Sequence, residues 1–406
     1  MQCNTLCCVS EKEIAALAYE VIANEVWQSR GQARNDKQCT AQAKGLIYRG
    51  GLIMEIKITK TTTPNQMPPE DKLGFGKVFT DHMFVMDYEE GKGWYDARIV
   101  PFGKISLHPA STVLHYGAEI FEGLKAYRRE DGGVQLFRPL ENIKRMNNSA
   151  ERMSLPLLNE EDALEILETF VKLEERFVPH SFGTSLYLRP FMFGNDESLG
   201  VHAVHRATFM LIASPSGSYY AEGINPVSIM IESEDVRTVR GGTGYAKCGG
   251  NYAASTRAGE RAAKKGYSQV LWLDGVERKY IEEVGAMNVM FKINGEIVTP
   301  MLTGSILPGI TRKSCIEVLK SLGYTVSERL LSVDELVNAM ETGTLEEAWG
   351  CGTAAVVSPI GKLAYGEKEY VIGGGKIGQV TQKLYDLLTG IQWGKVEDTF
   401  GWVYKL

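Results

Sequence analysis

Near the middle of the chain, the stretch Ser214-Pro-Ser-Gly-Ser-Tyr-Tyr-Ala-Glu-Gly223 gathers proline, glycine and serine between two strongly patterned halves. Residues of these types interrupt both helix and strand, and clustered they mark a linker. The break constrains the fold because each half carries its own mixture of helix and strand signals. A chain of 406 residues has room for two ordinary domains. The pattern predicts two α+β domains, over 54–214 and 224–406, joined by a linker at 215–223, with no internal repeat.

In the first half, strands are predicted over Val78–Tyr88, Arg98–Phe102, Leu124–Tyr127, Val134–Phe137, Ser185–Phe193 and Thr208–Ala213. Helical spacing runs over Thr112–Phe121, from Pro139 to Met153, and from Glu160 to Phe177. In the second half, Val227–Glu232 is a strand, and a glycine-rich loop leads into a helix from Tyr252 to Lys265 with Asn251 as N-cap. A strand block covers Val270–Leu273, Lys279–Glu283, Val289–Ile293 and Glu296–Pro300, with Asn294-Gly295 as its hairpin turn. Pro308 opens a helix to Leu322, Ser332 and Glu335 form a capping box, Ala354–Ser358 is a buried strand, and Gly378–Leu388 is a last helix.

Hydrophobic residues at 44% and charged residues at 23% are those of a globular protein with a sizeable core. A net charge of -6 argues against a binder of phosphate backbones, and no apolar run is long enough to span a bilayer. The seven cysteines form no CxxC pair and no regular framework, which fits reduced thiols in the cytoplasm. His202 and His205 are close, but without further ligands they read as a polar loop rather than a metal site. Residues 1–53 differ in composition, and the run Arg49-Gly-Gly51 just before Met54 fits a translated ribosome-binding sequence. The expectation is that Met54 is the true start; a disordered extension is the other reading.

Lys247 stands in Arg240-Gly-Gly-Thr-Gly-Tyr-Ala-Lys247-Cys-Gly-Gly-Asn-Tyr252, with no acidic neighbour. A lysine enclosed by small uncharged residues loses its proton more easily, because desolvation disfavours the ammonium. The neutral amine is the form that attacks a carbonyl to make a Schiff base. Set against this, a single lysine is ordinarily a surface charge, and glycine loops occur wherever the backbone turns tightly.

Four other strings invite the same weighing. In Ile281-Glu-Glu283-Val-Gly, alternation turns one glutamate inward, unless this is an edge strand with both acids in water. Leu307-Pro-Gly-Ile-Thr311 places a glycine and a hydroxyl at a helix start, either to bind phosphate or simply as a cap. Gly350-Cys-Gly-Thr353-Ala354 is a small-residue turn, open to a ligand or merely tight. Gly373-Gly-Gly375-Lys-Ile-Gly378 fits a dinucleotide fingerprint, but too little chain follows it for the βαβ unit that fingerprint requires.

These strings occur in a fixed order with FTDHMF, LHYGAEIFEGLKAY, LFRP, NIKRM and GTSLYLRPFMFGN. From about Leu73 to Gly394 the set resembles branched-chain aminotransferases, pyridoxal-phosphate enzymes of fold type IV. The resemblance implies a smaller N-terminal and a larger C-terminal α+β domain, of the D-amino-acid-aminotransferase type, with the cofactor between them. It implies that Lys247 carries pyridoxal phosphate as a Schiff base and moves the substrate Cα proton. Glu283 is then the partner of the ring nitrogen and Tyr252 of the phenolic oxygen. Arg145, the Ile310 and Thr311 amides, and Thr353 would hold the phosphate.

For the substrate, the resemblance implies walls from Phe75, Tyr116, Phe121, Tyr187 and Val201, the last reaching in from the other subunit of a homodimer. Arg189 would meet the side-chain carboxylate of glutamate and the Ala354 amide the α-carboxylate. The implied reaction is ping-pong transfer of the amino group of leucine, isoleucine or valine to 2-oxoglutarate. Two departures stand out: Ala286 lacks a hydroxyl found in some members, and Ala355 and Ser358 replace the CxxC pair of mammalian ones. The alternatives are a D-amino-acid aminotransferase, an aminodeoxychorismate lyase, or a protein that binds the cofactor without catalysis. The FTDHMF and GTSLYLRP strings favour the branched-chain group, and intact Lys247, Glu283, Tyr252 and Arg145 speak against a non-catalytic binder.

Overall fold

The computed structural model describes residues 55–217 and 224–406. The questioned N-terminal segment and residues 218–223 of the expected linker lie outside them. The first half supplies eight strands: β1 (Lys57–Ile58), β2 (His82–Glu89), β3 (Gly93–Pro101), β4 (Glu119–Phe121), β5 (Leu124–Arg128), β6 (Val134–Phe137), β7 (Ser185–Gly194) and β8 (Arg206–Ser216). They pair in the order β1-β3-β2-β8-β7-β5-β6, with β4 also on β7. The second half supplies β9 (Val227–Ile231), β10 (Gln269–Leu273), β11 (Ile281–Val284), β12 (Met287–Ile293), β13 (Glu296–Pro300), β14 (Val326–Arg329), β15 (Leu345–Gly352), β16 (Val356–Tyr365) and β17 (Lys368–Val371). Here the path β11-β10-β9-β16-β15-β12 closes on itself, because β11 also pairs with β12. The closed path encloses a core that includes Ile229, Leu271, Val289, Phe291 and Leu363, with β13, β14 and β17 branching from it.

The last strand, β18 (Val403–Lys405), returns to the first sheet and pairs antiparallel with β6. Its alternation is too short to stand out in the sequence, so it was not expected. A second core cluster joins the halves here: Tyr127 and Phe137 of the first sheet pack with Trp349, Trp393 and Trp402. The rings of Tyr127 and Trp393 lie 4.6 Å apart, and Trp393 Nε1 donates to the Thr184 carbonyl at 3.0 Å.

Seven helices flank the sheets among the described residues. In α1 (Thr112–Tyr116) the expected long helix stops after five residues, because Gly117 takes a left-handed conformation at φ 59 and caps it. The rest of that stretch becomes β4. Next come α2 (Pro139–Arg152) and α3 (Glu160–Leu173), the latter capped by Asn159 accepting from the Glu161 and Asp162 amides. In the second half, α4 (Gly249–Lys264) begins earlier than expected, so Asn251 lies inside it and Cys248 is the N-cap. The helix α5 (Ile310–Ser321) starts after Gly309, with Pro308 just outside. Ser332 caps α6 (Val333–Glu341), while the Glu335 carboxylate goes to Arg329 instead of closing the box. The last is α7 (Gln379–Gln392).

Candidate active site

The loop before α4 is shaped by contacts that only particular residues allow. A Cβ on Gly244 would lie 2.1 Å from the Ser305 carbonyl oxygen, so the backbone passes where no side chain fits. Asn251, displaced from its expected capping role, instead staples the loop. Its amide donates to the carbonyls of Thr243 and Ala246, each at 2.9 Å, and its oxygen accepts from Thr243 Oγ1 at 2.7 Å. From the first sheet, Phe121 N–H donates to the Lys247 carbonyl at 3.0 Å, and Lys247 N–H donates to Ser149 Oγ at 2.9 Å. The Glu119 carboxylate accepts from Gly249 N–H at the start of α4, where the helix dipole favours an anion.

Held this way, Lys247 Nζ donates to Tyr252 Oη at 2.7 Å and lies 4.7 Å from the centre of the Phe121 ring. Burial, reinforced by the charge of Arg145, pulls the Lys247 pKa down to about 7, against the pull of Glu122 and Glu283. Burial and the charge of Glu283 push the Tyr252 phenol up, so it stays protonated.

Both glutamates of the 281–284 strand are buried, which disposes of the wet-edge reading. Glu283 Oε2 meets Arg237 at 2.6 Å, and Oε1 accepts from Asn288 Nδ2 at 3.1 Å. Burial raises its pKa to about 7 although Arg237 works against the rise. Glu282 faces away and bonds Ser305 Oγ. Arg237 was missed in the sequence. In the sequence it follows the acidic run Glu232-Ser-Glu-Asp235 and reads as a surface charge.

Arg145, on α2, is buried and gripped by Glu122, with Nε to Oε1 at 2.7 Å and a terminal nitrogen to Oε2 at 2.9 Å. Its other terminal nitrogen donates to the Pro308 carbonyl at 3.3 Å, which brings the guanidinium to the start of α5. No side chain caps that helix, leaving its first amides open. Gly309 is required there, because a Cβ would lie 1.9 Å from Asn288 Oδ1.

A cavity of about 400 Å³ opens between the sheets, lined by Lys247, Tyr252, Phe75, Phe121, Tyr187, Arg189, Thr353 and Ala354. Ala286, Ala355 and Ser358 line it too, along with Gln269 and Met287, which the sequence did not single out. Arg189 donates to Tyr187 Oη at 2.9 Å and lies over the Phe121 ring at 4.6 Å. Phe75 packs edge-on against Tyr187 at 5.0 Å. Arg145 and Ile310 border a second cavity of about 390 Å³, and Thr311, next to Ile310 in the chain, is buried.

Tyr116 and Val201 do not reach the cavity within one chain. Tyr116 Oη bonds the Leu199 carbonyl, and Val201 is 82% exposed on the same segment. Elsewhere, Asp81, His82 and Glu174 form a buried cluster of metal-ligand type, but its atoms are used. His82 Nε2 accepts from Thr61 N–H at 2.9 Å, and Nδ1 pairs with Glu174 at 2.5 Å. His202 and His205 stack at 5.1 Å in an exposed loop. The 373–378 glycines make a short turn after β17 with three positive φ angles.

Comparison with known proteins bears on this geometry. The amino-transferase class IV family profile matches residues 119–363. The branched-chain-amino-acid aminotransferase 2 of Bacillus subtilis (strain 168) is 54% identical over 351 residues, spanning 86% of this chain and 97% of that one. The solved branched-chain amino acid aminotransferase of Escherichia coli superposes with a TM-score of 0.65 at 28% identity, over 79% of this chain and 98% of its own. A second solved branched-chain amino acid aminotransferase, complexed with N-(5'-phosphopyridoxyl)-L-glutamate, gives 0.67 at 27% identity, over 81% and 99%.

Proposed function

The chain belongs to the branched-chain-amino-acid aminotransferases of class IV, and on that premise we propose that it moves the amino group of L-leucine, L-isoleucine or L-valine reversibly to 2-oxoglutarate. The observation that carries the reading is the joint placement of Lys247, Tyr252 and Glu283: an amine with a depressed pKa, its phenol partner at 2.7 Å, and a buried carboxylate.

These residues fit pyridoxal phosphate. Lys247 offers an amine able to be neutral, Glu283 a buried anion for a ring nitrogen, and Arg145 beside the uncapped start of α5 a seat for phosphate. The phosphopyridoxyl ligand of the second solved relative supports the same assignment. When bound, the cofactor supplies an electrophilic carbon and a ring that takes up the electron pair left at the substrate Cα.

The chain's own residues do the rest. Lys247 Nζ would accept the Cα proton and deliver it to the cofactor's electrophilic carbon, a task suited to an amine whose pKa lies near the working pH. Tyr252 Oη orients that amine, and Glu283 keeps a negative charge at the ring nitrogen. The Ile310 and Thr311 amides and Thr353 would join Arg145 in holding the phosphate. Phe75, Phe121 and Tyr187 give branched aliphatic side chains an apolar wall. Arg189, parked on the Tyr187 hydroxyl, is released to meet the distal carboxylate of glutamate. The Ala354 amide takes the α-carboxylate, and Ala286 adds no hydroxyl to it.

We take the working form to be a cytoplasmic homodimer in which the exposed Val201 segment closes the partner's cavity, with domains 54–214 and 224–406, the second lending β18 to the sheet of the first. No helix of the described residues is long and apolar enough to cross a membrane. The test is a panel of amino donors with 2-oxoglutarate. L-Leucine, L-isoleucine and L-valine should each yield glutamate; turnover confined to D-alanine would sink the assignment.

A further inference from the structure

Lys125 is a buried cation that the reading above leaves unused. It lies in β5 opposite Tyr187, 7% exposed, and Nζ donates to the Ala354 carbonyl at 2.8 Å. No carboxylate pairs with it among the described residues. Burial pulls its pKa down to about 8 with no acidic neighbour opposing the shift. Two other buried charges of the site have counter-ions: Arg145 has Glu122 and Glu283 has Arg237.

An unpaired buried ammonium is costly, and an unbranched apolar side chain would fill comparable space without that cost. The fold therefore gives no reason for the charge, and its one partner points to another. Ala354 belongs to the turn between β15 and β16 that lines the cavity. In the reading above that turn receives the substrate α-carboxylate, which would set an anion beside Lys125.

We propose that Lys125 is the positioning residue of the α-carboxylate subsite: it anchors the 352–355 turn through the Ala354 carbonyl and supplies the counter-charge for a carboxylate docked on that turn. The inference rests on the reading that the Ala354 amide receives the α-carboxylate. It also says how a chain with Ala286 in place of a hydroxyl holds that group. Amino-acid and 2-oxo-acid substrates share the α-carboxylate, so Lys125 serves both half-reactions. Arg189 serves only the half with a second carboxylate.

The experiment compares holoenzyme of wild type, K125M and K125R. It measures competitive inhibition against L-leucine by 4-methylvalerate, a carboxylate on leucine's skeleton, and by 4-methylpentan-1-ol, which lacks the charge. K125M should weaken 4-methylvalerate by about tenfold or more, as loss of a buried charge partner does. The alcohol should change less than about twofold, and K125R should recover most of the loss. KM for leucine and for 2-oxoglutarate should rise together. Equal loss of acid and alcohol would mark a structural role and overturn the proposal, as would unchanged acid binding in K125M. Failure of 4-methylvalerate to compete in wild type would instead overturn the Ala354 reading beneath it. Cofactor absorbance and thermal melting show whether each variant is folded.

Discussion

Arg237 and Glu283 form a buried ion pair at 2.6 Å beside the cavity that Lys247 lines. The same guanidinium donates to the carbonyls of Gly244 at 3.1 Å and Ser305 at 2.7 Å, so one side chain fixes both the carboxylate and the glycine loop. Burial alone would favour neutral Glu283, and Arg237 opposes that. Replacing Arg237 by methionine should therefore raise the Glu283 pKa further above about 7. The acidic limb of the pH–rate profile should move to higher pH, and stability should fall by about 3–5 kcal/mol for the charge left unpaired.

Glu283→Gln keeps the shape and removes the charge. Cofactor should still bind, while kcat falls by about 100-fold or more, the scale of losing one preorganised electrostatic partner. An unchanged rate would give the ring-nitrogen role to another group.

Lys247 should be readable as a titration in protein stripped of cofactor. Its pKa is lowered to about 7 by burial, so the neutral, nucleophilic amine predominates above that pH. The rate of covalent capture of pyridoxal phosphate should rise with pH and level off above a midpoint near 7. A midpoint near that of an exposed lysine, about 10.4, would contradict the burial argument.

Gly123 borders the cavity, and a Cβ there would lie 2.1 Å from the Tyr187 hydroxyl. Tyr187 holds Arg189 at 2.9 Å, so Gly123→Ala should displace both. The expected outcome is a larger fall in kcat/KM for glutamate than for leucine, by about tenfold, as expected for a displaced positioning group.

Asn251→Ala removes three hydrogen bonds that shape the lysine loop. At about 1 kcal/mol each, with a further penalty for buried groups left unpaired, the loss should be about 3–5 kcal/mol in denaturant unfolding.

How much of this was legible beforehand differs by residue type. Lys247, Tyr252 and Glu283 sit in short strings whose order carries the resemblance, and the structure brings them together. The hairpin at Asn294-Gly295 formed as expected, because two positive φ angles require such residues. Asn251 misled, since a cap-forming residue before a periodic run is also well suited to stapling a loop once α4 starts three residues earlier. The helix expected through Phe121 gave way to β4 because Gly117 ends it and β7 offers an edge to pair with. Arg237, Glu119 and Lys125 act across the sheets, on partners far away in sequence, and local pattern holds no trace of such contacts.

The most direct test of the account is to locate the cofactor's attachment. Holoenzyme reduced with borohydride and digested should carry one phosphopyridoxyl group per chain, on the peptide containing Lys247, with activity lost in step. A label on any other lysine, or full activity after stoichiometric labelling, would contradict the assignment of Lys247.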